Sequence, residues 1–245
     1  MRGCAGGPVT RGWRVAGGGW RFAVAVAVRG SRFAVAVRGR GSRIAVADRG
    51  GRHPLGSNLA PMPRVLVYCA SSESIPDDYH RLADELGGGI ARSGLEVVFG
   101  GGSTGLMGSL GRAALREGGT VRGVILRQFV EAKIALTEAS HLEVVEDLRP
   151  RKARMEDLSD AVIALPGGFG TFEEVLEIIV RKQLGFYPKP IVILNHAGYY
   201  DGLFALFDRA TRDGFIGSDH SSLFAIAQSA VGALTHVRGA LGGER

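Results

Sequence analysis

The chain has 245 residues, 45% of them apolar, enough to build one α/β domain around a real core. Its formal net charge is +6, yet residues 1 to 61 hold eleven arginines against a single acid, Asp48, a surplus of ten that leaves the remainder at −4; no nucleic-acid partner is expected for the folded part. Two cysteines, Cys4 and Cys69, give neither a disulfide framework nor a metal-ligand spacing, and no apolar run approaches the roughly 20 residues that cross a bilayer, so the expectation is a cytoplasmic protein without metal or membrane anchor.

The first 61 residues carry three decaying copies of one pattern, "RFAVAVAVRGS" from Arg21, "RFAVAVRGRGS" from Arg32 and "RIAVADRGGRH" from Arg43. They read as a low-complexity extension, disordered or lying ahead of a true start at Met62. An Arg-rich transit peptide is the alternative, and the low serine content argues against it. Weak nucleic-acid binding by RG dipeptides would belong to this extension alone.

From residue 64 onward, apolar runs alternate with helical patterns. Strands are predicted at 64–69, 95–100, 121–126, 161–166 and 190–195, and helices near 77–93, 104–117, 150–159, 171–184, 199–212 and 229–241. The strands are nearly continuous Val, Ile and Leu, which implies burial on both faces. The expectation is a single domain over 62–245, a Rossmann-like doubly wound parallel sheet with helices on both faces. Ligands of such sheets bind beyond the carboxyl ends of the strands.

Three strand ends are unusual there: "CASSES" at 69–74, "GGGSTGLMG" at 100–108 and "PGGFGT" at 166–171. The second lacks both the G-x-G-x-x-G spacing of dinucleotide sites and the lysine of a P-loop. The third admits two readings. Locally, Thr171 caps a helix and forms a capping box with Glu174. Alternatively, the glycines let a phosphate reach main-chain N–H groups at a helix start. A further cluster, "RPRKARM" at 149–155, puts four basic residues at a helix start marked by Pro150, where they oppose the macrodipole at about 0.3–1 kcal/mol each. An anionic ligand would offset that, with Arg151 and Lys152 best placed and Arg154 read as a solvated face.

Together "PGGFGTFEE", "GGGSTGLMG" and the Arg-Lys pair resemble the Lonely Guy family of cytokinin-activating phosphoribohydrolases, historically described as lysine decarboxylases. The resemblance covers about residues 64 to 240, and Pro166, Gly167, Gly168, Gly170, Thr171 and Glu174 match the P-G-G-x-G-T-x-x-E motif in full. It implies hydrolysis of the N-glycosidic bond of a nucleoside 5′-monophosphate, without cofactor, by a homodimer. Arg151 and Glu174 map to the catalytic pair. Ser71, Gly101, Gly102, Ser103, Gly105, Lys152, Gly167, Gly168, Gly170 and Thr171 map to substrate and phosphate binding. "GYYDGL" at 198–203 and "RKQLGFYPKP" at 181–190 also look like family segments with packing roles. Arg149 stands where many relatives carry His, a departure that bears on how base or ribose is held.

Two other classes compete. A sensing module of the same fold would bind the nucleotide without cleaving it. A pyridoxal-phosphate decarboxylase would need a Schiff-base lysine, and Lys133, Lys152, Lys182 and Lys189 lie in no convincing cofactor motif.

Overall fold

The computed structural model describes residues 62–217 and 219–242; the expectations for residues 1–61 lie outside them. Seven strands form one parallel sheet: β1 (Arg64–Tyr68), β2 (Glu96–Phe99), β3 (Val121–Leu126), β4 (His141–Val145), β5 (Ala161–Ala164), β6 (Ile191–Leu194) and β7 (Ala225–Ala227). Their order is β4-β3-β2-β1-β5-β6-β7. The chain winds outward from β1 to β4, then crosses back to place β5 on the other side of β1. The crevice between β1 and β5 is therefore the topological switch point, where doubly wound sheets take their ligands.

The pleat of β1 sends Val65, Val67 and Cys69 into one core layer and Leu66 and Tyr68 into the other. The first layer is closed by α1 (Asp77–Arg92), α2 (Gly105–Arg116) and α7 (Ala230–Gly242), the second by α4 (Leu148–Leu158), α5 (Phe169–Gln183) and α6 (Asp201–Arg212). α1 can lie close on α2 because Gly87 has no side chain: a Cβ there would sit 2.2 Å from the carbonyl oxygen of Leu110.

The five expected strands are present. Two edge strands went unforeseen, for a physical reason: β4, "HLEVV", is partly solvated and interrupted by a charge, and β7 is three residues long. A five-residue helix, α3 (Arg127–Glu131), was also missed. No helix among the described residues is long and apolar enough to cross a membrane.

The capping-box expectation is corrected. α5 starts at Phe169 with Gly168 as its N-cap, and the first intrahelical bond runs from the Phe172 N–H to the Gly168 carbonyl at 2.9 Å. Thr171 thus lies inside the first turn, and no side chain caps the helix. Thr171 packs back toward Gly167, where an added Cβ would meet its Oγ1 at 2.1 Å. Glu174 is left without a capping duty.

Candidate active site

The carboxyl ends of β1, β2, β3 and β5 enclose a cavity of about 410 Å³, within the usual range for a small-molecule site. Its floor is Cys69, Gly100, Arg151 and Glu174. Ser71, Ser72 and Thr104 supply hydroxyls on one wall, Met107, Ile125, Phe129 and Ile134 make an apolar wall, and Gly168 to Thr171 form the start of α5.

Arg151 is only 6% exposed. Its Nε donates to the Val124 carbonyl at 2.8 Å and its Nη2 to the Gly100 carbonyl at 2.9 Å, tying α4 to the ends of β3 and β2. The glycine leaves room for this contact: a Cβ at Gly100 would lie 2.2 Å from Nη2 and would displace the guanidinium. With two corners of its fork spent on the backbone, the guanidinium turns Nη1 toward Glu174 Oε1, 3.7 Å away. That is an ion pair too long for a direct hydrogen bond, a spacing at which a water or ligand oxygen can bridge.

The Glu174 side chain is 11% exposed. Burial pushes its carboxyl up to about 7, against the opposing pull of Arg151. Desolvation outweighs the attraction because the two groups stand 3.7 Å apart with no hydrogen bond between them to favour the charged carboxylate. Burial likewise lowers Arg151, partly countered by Glu174 and Tyr68. The result is an acid that exchanges its proton near neutrality, as general acid–base chemistry requires. The Tyr68 hydroxyl, which interacts electrostatically with both groups, is buried and without a hydrogen-bond partner.

The two glycine loops differ in what they demand. In the second, Gly101 and Gly105 have φ of +78° and +57°, so the local-turn explanation applies. The same loop is fixed to β1: the N–H groups of Leu106 and Met107 donate to the Ala70 carbonyl, and Thr104 Oγ1 donates to the Ser71 carbonyl at 2.8 Å. Two of the first N–H groups of α2, those of Leu106 and Met107, are therefore consumed by protein. In the third loop neither Gly168 nor Gly170 has positive φ, and a Cβ on either would meet nothing within 4 Å. Neither turn geometry nor packing requires glycine there. Open space above the unpaired N–H groups of a helix start is what an anion needs.

Of the expected site residues, Ser71, Gly102, Arg151, Gly168, Gly170, Thr171 and Glu174 are brought together around this cavity. Gly101, Ser103, Gly105 and Gly167 shape the loops behind it. Lys152 is placed elsewhere: its ammonium is held by Glu173 and Glu177, bridging α4 to α5. Arg149 is exposed and does not line the cavity. Ser72, Thr104, Met107 and Phe129 were missed; the first three stand in the quoted loops, whereas Phe129 lies on the unforeseen α3. None of the four lysines lines the cavity, so the residues present do not fit a pyridoxal Schiff base. Among the described residues no cluster of His, Cys, Asp and Glu could hold a metal ion.

A doubly wound parallel sheet with a helix start and a buried carboxylate–guanidinium pair at its switch point places the chain among the Rossmann-like α/β proteins. The sequence matches the family described as "Possible lysine decarboxylase" over residues 107–237. It is 42% identical over 184 residues to the cytokinin riboside 5′-monophosphate phosphoribohydrolase of Rhodococcoides fascians, covering 73% of this chain and 91% of that one. It is 40% identical over 167 residues to the cytokinin riboside 5′-monophosphate phosphoribohydrolase LOG1 of Arabidopsis thaliana, covering 68% and 78%. The fold is shared with the molybdenum cofactor carrier protein of Chlamydomonas reinhardtii, at TM-score 0.58 and 24% identity over 74% of this chain and 99% of that one. The chain belongs to the family that contains these Lonely Guy phosphoribohydrolases, as its glycine motifs implied.

Proposed function

We propose that this chain hydrolyses the N-glycosidic bond of cytokinin-type riboside 5′-monophosphates and AMP, releasing free base and ribose 5-phosphate. The observation that carries the reading is Glu174, a buried carboxyl raised to about 7 beside Arg151, one turn into the helix at whose start Gly168 and Gly170 leave the backbone open to the same cavity. The names of the relatives at about 40% identity point to the same reaction.

The chemistry follows from that placement. The 5′-phosphate sits against the N–H groups at the start of α5, with the Ser71 hydroxyl on the same cavity, and this anchor sets C1′ over Glu174. As the C1′–N bond lengthens, positive charge grows on the ribose, and the carboxylate stabilises it. Water then adds its oxygen to C1′ and gives a proton to Glu174, while the base leaves with the bonding electron pair and takes up a proton from solvent; Glu174 returns its own to solvent to complete the cycle. Arg151 holds Glu174 in place and favours its charged form. Through Nη1 it acts on the carboxylate and the substrate oxygens near it, while Nε and one Nη2 hydrogen are committed to Val124 and Gly100. Proton transfer by a group of this kind is typically worth 10²–10⁴-fold, with positioning supplying much of the rest.

A homodimer and a cytosolic location complete the reading. Leu176, Val180 and Leu184 form an exposed apolar stripe on α5, continued by Phe186, and Cys69 is a buried free thiol, as a reducing compartment permits.

The test is chromatographic. The chain is incubated with isopentenyladenosine 5′-monophosphate, AMP and the unphosphorylated riboside. The expected result is free base and ribose 5-phosphate from the monophosphates only. Binding without turnover would move the protein to the sensing class.

A further inference from the structure

Beside the main cavity lies a smaller one of about 240 Å³, and the peptide between Gly167 and Gly168 stands at the boundary: Gly168 lines both spaces, whereas Tyr199 lines only the smaller. Tyr199 Oη donates to the Gly167 carbonyl at 2.6 Å. In a trans peptide the C=O and the following N–H point in opposite directions, and there are no cis bonds among the described residues. Anchoring the Gly167 carbonyl toward Tyr199 therefore turns the Gly168 N–H to the other side, where Gly168 lines the main cavity. Gly168 is the N-cap of α5, and its side-chain-free position leaves that N–H open to an anion.

The tyrosine is itself held with care. Ala197 and Gly198 adopt successive left-handed conformations, φ 50° and 72°, which corner the chain sharply just before Tyr199. For alanine this is a strained state of the kind that persists only where the surroundings over-determine it. The surroundings do so: the buried Asn195 accepts the Tyr200 N–H at 2.7 Å and donates to Asp201 Oδ1 at 2.8 Å. Phe172 then stacks on the Tyr199 ring at 6.4 Å, and Tyr79 meets it edge-on at 5.9 Å. The "GYYDGL" segment, read from sequence as packing, thus ends in a hydroxyl aimed at one carbonyl of the phosphate-facing loop.

We propose that Tyr199 is a positioning residue for 5′-phosphate recognition, holding the Gly167–Gly168 peptide so that its N–H addresses the phosphate. The inference rests on the nucleotide reading above. Its neighbour supplies a control within the same loop. Tyr200 Oη donates to the Leu165 carbonyl at 2.7 Å, but the next residue is Pro166, whose nitrogen carries no hydrogen. Tyr200 therefore braces the loop without aiming a donor, and it lines neither cavity.

The experiment compares the wild-type chain with Tyr199→Phe and Tyr200→Phe, measuring affinity for AMP and for adenosine by calorimetry, hydrolysis of AMP, and melting temperature. Tyr199→Phe is expected to weaken AMP binding about three- to ten-fold, part of the worth of one hydrogen bond to a charged group, with adenosine affinity unchanged. Tyr200→Phe is expected to lower the melting temperature with AMP affinity unchanged. Equal AMP affinity in Tyr199→Phe and wild type, or equal weakening by both variants, overturns the proposal. A wild-type chain that binds AMP without cleaving it fails the hydrolase reading and still decides the question for Tyr199. A wild-type chain that does not bind AMP overturns both.

Discussion

Replacing Glu174 by Gln removes one titratable proton from the floor of the cavity while keeping the side chain's shape, and the structure fixes what that does to stability. Burial raises the Glu174 carboxyl from an ordinary 4.5 to about 7. Between those values the folded chain keeps a proton that the unfolded chain has released, so wild-type stability falls as pH rises through this window and the loss is complete above about 7. At about 1.4 kcal/mol per tenfold change in the proton equilibrium, the full loss is about 3 kcal/mol. The Gln variant is neutral throughout and escapes it. Whatever the substitution costs through Arg151 is the same at both ends of the range and cancels. Urea unfolding of both proteins at pH 5 and pH 8 should therefore show the variant gaining about 2.5 kcal/mol on wild type between the two. A gap that stays constant would mean that Glu174 is charged across the range, and the desolvation argument would be refuted.

The same carboxyl sets the pH dependence of turnover: because the working form is the carboxylate, kcat/KM should climb with pH through about 7 and level off above. Replacing Arg151 with Met deletes the cation that draws Glu174 downward, so the rise in residual turnover should move to higher pH; a rise that stays put or moves down contradicts the pairing. Lys152→Met breaks a clamp between α4 and α5 and should cost less than about 1 kcal/mol with KM for AMP within about two-fold. A ten-fold rise in KM would return Lys152 to the phosphate. Tyr68→Phe removes a buried hydroxyl with no partner and should raise stability by about 1 kcal/mol with turnover kept; lost turnover would show that the hydroxyl meets the ligand.

The interior of the fold was legible because strands buried on both faces spell themselves out. "RVLVY" and "AVIA" are continuous apolar runs, and the glycine-rich loops mark their carboxyl ends. The edges were not, since β4 mixes charge with apolar residues and β7 spans three positions. At the site, Arg151 and Glu174 were found by motif, but their environment was not. Only the folded structure commits two Arg151 donors to Gly100 and Val124. Sequence placed Lys152 beside Arg151 as an equal partner. One position along a helix is a turn of about 100°, and that rotation carries Lys152 away to Glu173 and Glu177. The capping box failed for a similar reason: Thr171 and Glu174 have the right spacing, but α5 begins ahead of them at Phe169.

The most direct test of the account is the pairing of binding with turnover in one variant. Calorimetric affinity for isopentenyladenosine 5′-monophosphate and the rate of free-base release are measured on wild type and Glu174→Gln. The account predicts affinity within a few-fold, because the phosphate is held at the start of α5, and turnover lower by about 10²-fold or more. Near-normal turnover in the variant would contradict the central claim that Glu174 carries the reaction.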